Sequence, residues 1–153
     1  MELRKRGFEI IEEYRGKGIE LPERKTSGSA GYDLAAACDC ILKRGEVAIV
    51  PTGLKAYMQK DEYLGLHIRS GLSLKHCLML VNSQGIIDSD YYNNADNDGH
   101  IMAAVLNLGE KDVFVEKGMR IAQGIFYKYL VVDGDEAGRG VSRQGGFGST
   151  GEE

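Results

Sequence analysis

Glycine limits this chain more than any other residue type. The 153 residues include 21 glycines, only 2 prolines and no tryptophan, and the glycines separate short apolar runs. Runs of four to eight residues closed by turn formers are too short for packed helices and suit strands. The pattern predicts an all-β domain with many tight turns. Strands are expected over Ala30–Ala37, Glu46–Pro51, Leu54–Met58, Tyr63–Ile68, Asn82–Asp90, Ile101–Leu108, Val113–Val115 and Arg120–Phe126. Tyr127–Val132 should continue the last as an apolar edge, and Arg69–His76 reads as a loop entering a short helix. Residues 1–16 fit a strand or a short helix equally well. The expected division is a barrel over 1–135 and a flexible C-terminal arm over 136–153, within one domain.

Composition removes several function classes. A formal net charge of −4 argues against a protein that grips nucleic-acid backbones. No apolar run approaches the roughly 20 residues of a membrane helix, and the basic N-terminus leads into mixed sequence rather than a signal-like core. A cytoplasmic protein with neither stable nucleic-acid nor membrane binding is expected. Cys38, Cys40 and Cys77 lack zinc-site spacing, and His67, His76 and His100 are scattered.

Chemistry concentrates at Gly85-Ile86-Ile87-Asp88-Ser89-Asp90-Tyr91. On a continuous strand Asp88 and Asp90 would project from one face, repelling unless a cation, proton or polar ligand intervenes. Arg69-Ser70-Gly71 offers donors where a helix begins, a arrangement suited to anions. The tail holds a formal Gly-x-Gly-x-x-Gly at Gly146, Gly148 and Gly151. Too little chain follows for the helix and acidic residue of a dinucleotide fold. What remains is an arm whose amides and hydroxyls could wrap phosphate, with Arg143 to pair and Phe147 to stack. Tyr92–Asp98 is rich in Asn and Asp but lacks the spaced Glu and flanking helices of a calcium loop.

Five segments, in order, resemble the motifs of the trimeric dUTP pyrophosphatase (dUTPase) family. They are Ala30-Gly31-Tyr32-Asp33-Leu34; Arg69-Ser70-Gly71-Leu72; Asn82-x-x-Gly85-x-Ile87-Asp88-x-Asp90-Tyr91; Gly118-Met119-Arg120-Ile121-Ala122-Gln123; and Arg143 with Gly145 to Gly151. The resemblance implies a distorted jelly-roll barrel in a homotrimer, with active sites shared between subunits and closed by the arm. It implies hydrolysis of dUTP to dUMP and pyrophosphate with Mg2+. Asp88 would activate the attacking water and Tyr91 would exclude a 2′-hydroxyl. Asn82 and the main chain around Gly99, Ile101 and Met102 would read uracil. Arg69, Ser70, Gly71 and Gln123 would hold phosphates, and Asp33 would reach Mg2+ through water. Arg143, Gly148, Ser149 and Thr150 would clamp the triphosphate while Phe147 caps the base, and Asp90 would have a supporting role.

The chain departs from the family pattern in places. Seven residues, 92–98, stand between Tyr91 and Gly99 where most members have one. Ile68 replaces a proline, Met119 an acidic residue, and Arg139 competes with Arg143 as the arm's arginine. The related dCTP deaminases need a Glu in the strand His100–Val105, which has none. A regulatory or nucleotide-sensing protein on the same fold is the other alternative.

Overall fold

The computed structural model describes residues 3–138, 143, 145 and 146. Its strands are β1 (Gly7–Ile10), β2 (Tyr32–Ala35), β3 (Cys40–Leu42), β4 (Val47–Pro51), β5 (Leu54–Tyr57) and β6 (Glu62–Ile68). After the helix α1 (Ser70–His76) come β7 (Leu78–Leu80), β8 (Gly85–Asp88), β9 (Met102–Asn107), β10 (Val113–Val115) and β11 (Arg120–Lys128). All pairings are antiparallel. A four-stranded sheet runs β2-β11-β6-β8, a three-stranded sheet β4-β9-β7, and β1-β5 and β3-β10 form two-stranded ribbons. Together they make an all-β jelly-roll barrel around one core.

Alternation drives the packing. In β9 the buried positions are Ala103, Val105 and Asn107, with the intervening side chains partly exposed. Leu34, Leu64, Leu66, Leu80, Ile101, Val105 and Ile121 meet in the interior. Each buried aliphatic side chain contributes about 1.5–3 kcal/mol from leaving water. Asn107 is fully buried yet satisfied: its Nδ2 donates to Leu42 O at 2.8 Å and Lys111 O at 2.9 Å, and its Oδ1 accepts from Gly109 N at 2.9 Å. Such an amide, bonded on both sides, fixes the register of strands and turn around it.

Several boundaries differ from the sequence reading. β1 and a 3-10 turn at Glu12–Tyr14 resolve the ambiguous N-terminus. β3 and β7, three residues each, were not anticipated, whereas the equally short β10 matches the expected Val113–Val115. β11 stops at Lys128, and Leu130 to Val132 are exposed rather than an apolar edge. The expected strand Asn82–Asp90 is only Gly85–Asp88. A turn with Ser83 at φ +57° precedes it and a 3-10 turn, Ser89–Tyr91, follows. Asp88 and Asp90 therefore do not share a strand face.

Candidate active site

A cleft opens where β8, the edge of the larger sheet, diverges from β7 and β9 of the smaller one. Its lining includes Asn82, Gly85, Ile87, Asp88, Tyr91, Met102, Arg143 and Gly146. Gly85 pairs with Leu66, and a Cβ there would stand 3.2 Å from Leu66 Cβ, so glycine lets β8 lie close on β6. Asp88 ends the strand and caps the 3-10 turn in extended conformation, φ −74° and ψ 156°. That turn swings Tyr91 inward, leaving it 5% exposed.

Asp88 and Asp90 nevertheless meet at one cation. Arg143 Nε donates to Asp90 Oδ1 at 2.7 Å and a terminal nitrogen donates to Asp88 Oδ2, while its other nitrogen donates to Gly145 O at 3.2 Å. The planar guanidinium fork suits this bridging. It offsets the repulsion of the two carboxylates, both half-exposed, and folds Gly145 and Gly146 back onto the cleft. The sequence reading set Arg143 against phosphates; here its partners are the carboxylates.

Tyr91 is held at its far end. Its hydroxyl donates to His100 O at 2.6 Å and accepts from Asn97 Nδ2 at 2.8 Å. Burial pushes the phenol above its ordinary pKa, with Asn97 pulling the other way, so the hydroxyl stays protonated.

The expected main-chain readers divide by strand geometry. Ile101 N donates to Leu54 O at 2.8 Å, and Ile101 O accepts from Thr52 N at 3.2 Å and Thr52 Oγ1 at 2.6 Å. Its peptide groups face Thr52 and β5 and are already paired there, not turned toward the cleft. Met102 has the opposite direction, shared with Ala104, whose carbonyl accepts from Val81 N at 3.0 Å. Past Val81 the chain turns away at Asn82, so the Met102 peptide groups face the cleft. Gly99, at φ +88°, donates its N–H to Asn97 Oδ1 at 3.1 Å.

The remaining predicted groups form a second cluster. Asp33, on β2, pairs in register with Gln123 on β11, and its oxygens lie 3.6 Å from Arg69 Nε and 3.7 Å from an Arg120 nitrogen. Those spacings are ion pairs without close hydrogen bonds. Arg69 N donates to Ile121 O at 3.3 Å, which joins the start of α1 to β11. A Cβ on Gly31 would meet Gln123 Oε1 at 2.4 Å, whereas one on Gly71 would meet nothing within 4 Å. Ser70 and Gly71 are exposed, and the Arg69 cap makes no side-chain hydrogen bond. Arg120 was not assigned a role from sequence, although it lies within the fourth motif.

One chain does not bring the two clusters together. Asp88 is in register with Tyr63, while Asp33 reaches β6 through Gln123 at His67. Four residues along the strand and three strand spacings put roughly 19 Å between Asp88 and Asp33. Phe147, Gly148, Ser149, Thr150 and Arg139 lie outside the described residues. Among the described residues no three His, Cys, Asp or Glu side chains converge to hold a metal ion, and no helix is long and apolar enough to cross a membrane.

Fold and cleft together define a jelly-roll barrel with an acidic, arginine-bridged cleft at a sheet edge. A family model described as dUTPase matches residues 17–151. A deoxyuridine 5′-triphosphate nucleotidohydrolase of Lactococcus lactis subsp. lactis is 49% identical over 146 residues, covering 95% of this chain and 97% of that one. One of Rickettsia felis is 40% identical over 136 residues, 86% of this chain and 88% of that one. A crystal structure of dUTPase from Streptococcus mutans superposes with TM-score 0.79 at 46% identity, covering 84% of this chain and 99% of that chain. The chain belongs to the dUTPase family.

Proposed function

We propose that this protein hydrolyses dUTP to dUMP and pyrophosphate, with Asp88 as the general base for water attacking the α-phosphorus. The observation that carries this is the placement of Asp88. It stands half-exposed at the mouth of a cleft whose wall is the buried ring of Tyr91 and whose rim holds Asn82 and the Met102 peptide. Uracil pairs with Asn82 and Met102, the deoxyribose lies on Tyr91, and the α-phosphate comes beside Asp88. The carboxylate accepts the water's proton as the new O–P bond forms and pyrophosphate leaves. Arg143 moves from Asp88 and Asp90 to the triphosphate as substrate enters, which frees the base. Residues 136–153 act as an arm that closes the site, with Phe147, Gly148, Ser149 and Thr150 completing the clamp.

Arg69, Ser70, Gly71 and Gln123 are the phosphate cradle of this reading. Because that cradle stands so far from Asp88 on its own chain, the complete site is built between subunits of a homotrimer, each supplying one part. The residues suit Mg2+. A hydrated ion of this kind would need no protein cage, and the partly exposed carboxylate of Asp33 would hold it through water. When bound it would offset charge on the triphosphate. The product dUMP feeds thymidylate synthesis, and removal of dUTP limits uracil in DNA.

The test is pyrophosphate release from dUTP, dCTP, dTTP and UTP, with and without Mg2+, on wild type and Asp88→Asn. Selective dUTP turnover lost in the variant supports the reading. Persistent turnover moves the base elsewhere, ammonia from dCTP indicates deamination, and binding without turnover indicates a nucleotide-sensing protein.

A further inference from the structure

We infer that the inserted loop 92–98 is part of the sugar-selecting device, and that Asn97 is the positioning residue through which it acts on Tyr91. The inference rests on the proposed dUTP reading, in which the Tyr91 ring walls off the sugar.

The loop grips both ends of Tyr91. At the backbone, Asn94 Nδ2 donates to Tyr91 O at 2.8 Å. At the ring, Asn97 Nδ2 donates to the hydroxyl at 2.8 Å. The two asparagines also bind each other: Asn94 Nδ2 donates to Asn97 Oδ1 at 2.8 Å, and Asn94 Oδ1 accepts from the N–H groups of Asp96 and Asn97 at 3.0 Å. The loop is rooted in the barrel. Lys55 Nζ, nearly buried, donates to Asn93 Oδ1 at 2.6 Å and Asp98 Oδ1 at 2.8 Å, and Glu12 N donates to Asp98 Oδ2 at 3.1 Å. Asn93 and Asp98 turn the chain at positive φ, 56° and 63°, which Asn and Asp tolerate better than other side chains.

This arrangement determines how Tyr91 can discriminate. Its hydroxyl donates to His100 O and accepts from Asn97, so it is committed within the protein and the ring face meets the sugar. Exclusion of a 2′-hydroxyl by a ring face needs a wall that does not yield, since a retreat of about 1 Å opens room for an oxygen. Asn97 prevents that retreat. The loop also seats the arm, because a Cβ on Gly145 would stand 2.8 Å from Asp96 Oδ2.

The experiment compares wild type, Asn97→Ala, Tyr91→Phe and the double variant. It reads kcat and KM for dUTP and UTP, calorimetric Kd for dUMP and UMP, and the melting temperature. Asn97→Ala is expected to lower the dUTP-to-UTP ratio of kcat/KM about five- to tenfold, the worth of one part-buried hydrogen bond. The change should appear mainly as a lower KM for UTP, with kcat on dUTP within about twofold. Tyr91→Phe keeps the loop's internal bonds, should relax selection similarly, and should leave the second substitution without further effect on the dUTP-to-UTP ratio, while the melting temperature still falls as Asn94 and Gly99 lose the Asn97 acceptor. An unchanged ratio in Asn97→Ala, or losses that multiply in the double variant, would overturn the inference. If wild type turns over no dUTP, the functional reading fails by itself, and the dUMP-to-UMP binding ratio decides the role of Asn97 by the same criteria.

Discussion

Gly146→Ala tests whether the arm closes against Tyr91. A Cβ at this position would stand 2.8 Å from Tyr91 Cε2 and 3.4 Å from Cζ and the hydroxyl oxygen. Carbon atoms in contact prefer about 3.5–4.0 Å, so one side must retreat by close to 1 Å. The ring is 5% exposed and tied by His100 and Asn97, so it cannot give way cheaply. The arm can, because among the described residues its ion pairs run from Arg143 to the half-exposed Asp88 and Asp90. Overpacking of this kind costs about 1–3 kcal/mol, which reduces the docked arm by about five- to 150-fold. The assay pairs kcat/KM for dUTP with thermal melting. A loss of at least about fivefold in kcat/KM is expected, with the melting temperature moving by no more than about 1 °C because the barrel is untouched. Wild-type kcat/KM would refute the reasoning, since the arm would then not lie on Tyr91 during turnover. A drop of several degrees in melting temperature would also refute it, because the barrel would have absorbed the clash.

Lys55→Met removes two of the three bonds that root the inserted loop and leaves the Glu12 N–H on Asp98; with Asp98 about one-third exposed and partly rehydrated, the expected loss is about 1 kcal/mol, or roughly 2–4 °C in melting temperature. Faster amide hydrogen exchange over 93–98 should accompany it. Acid should weaken the same region through His100. Burial lowers its pKa, with Glu13 opposing, and its Nε2 accepts from Gly53 N at 2.9 Å, which requires the neutral ring. The unfolded chain then binds the proton more readily, so this contribution is intact above about pH 6.5 and declines as pH falls toward the folded pKa. Asp98 adds a second loss at lower pH. Burial disfavours its charge, but Lys55 and the Glu12 N–H outweigh that and hold its pKa below the usual carboxylate value. Melting temperatures from pH 7.5 to 5 should fall, and His100→Gln, which keeps an acceptor, should flatten the slope.

Much of the site was legible because its chemistry is local. Asp88, Tyr91, Asn82 and Gly85 lie within ten residues, and one edge strand with its turns places them around one cleft. The strands long enough to show a period, β6, β9 and β11, were legible for the same reason. What stayed hidden depends on partners distant in sequence. The resemblance set Ile101 beside Met102 among the main-chain base readers, yet strand alternation sends its peptide groups to Thr52 and Leu54. The shared arginine of Asp88 and Asp90 lies more than fifty residues away, and their meeting does not come from strand periodicity. The inserted loop was visible only as extra length. Its root, Lys55, and its contact with Glu12 require the barrel to be closed before they are neighbours.

The distance between Asp88 and Asp33 on one chain has a meaning for inheritance. If neighbouring subunits complete each other's sites, a lesion is not confined to the copy that carries it. A chain defective at Asp88 would then still lend its Asp33 to a neighbour, and a chain defective at Asp33 would still lend its Asp88. Where two gene copies are expressed together, harm and rescue would then both be shared, and the unit on which selection acts would be the assembly rather than the polypeptide.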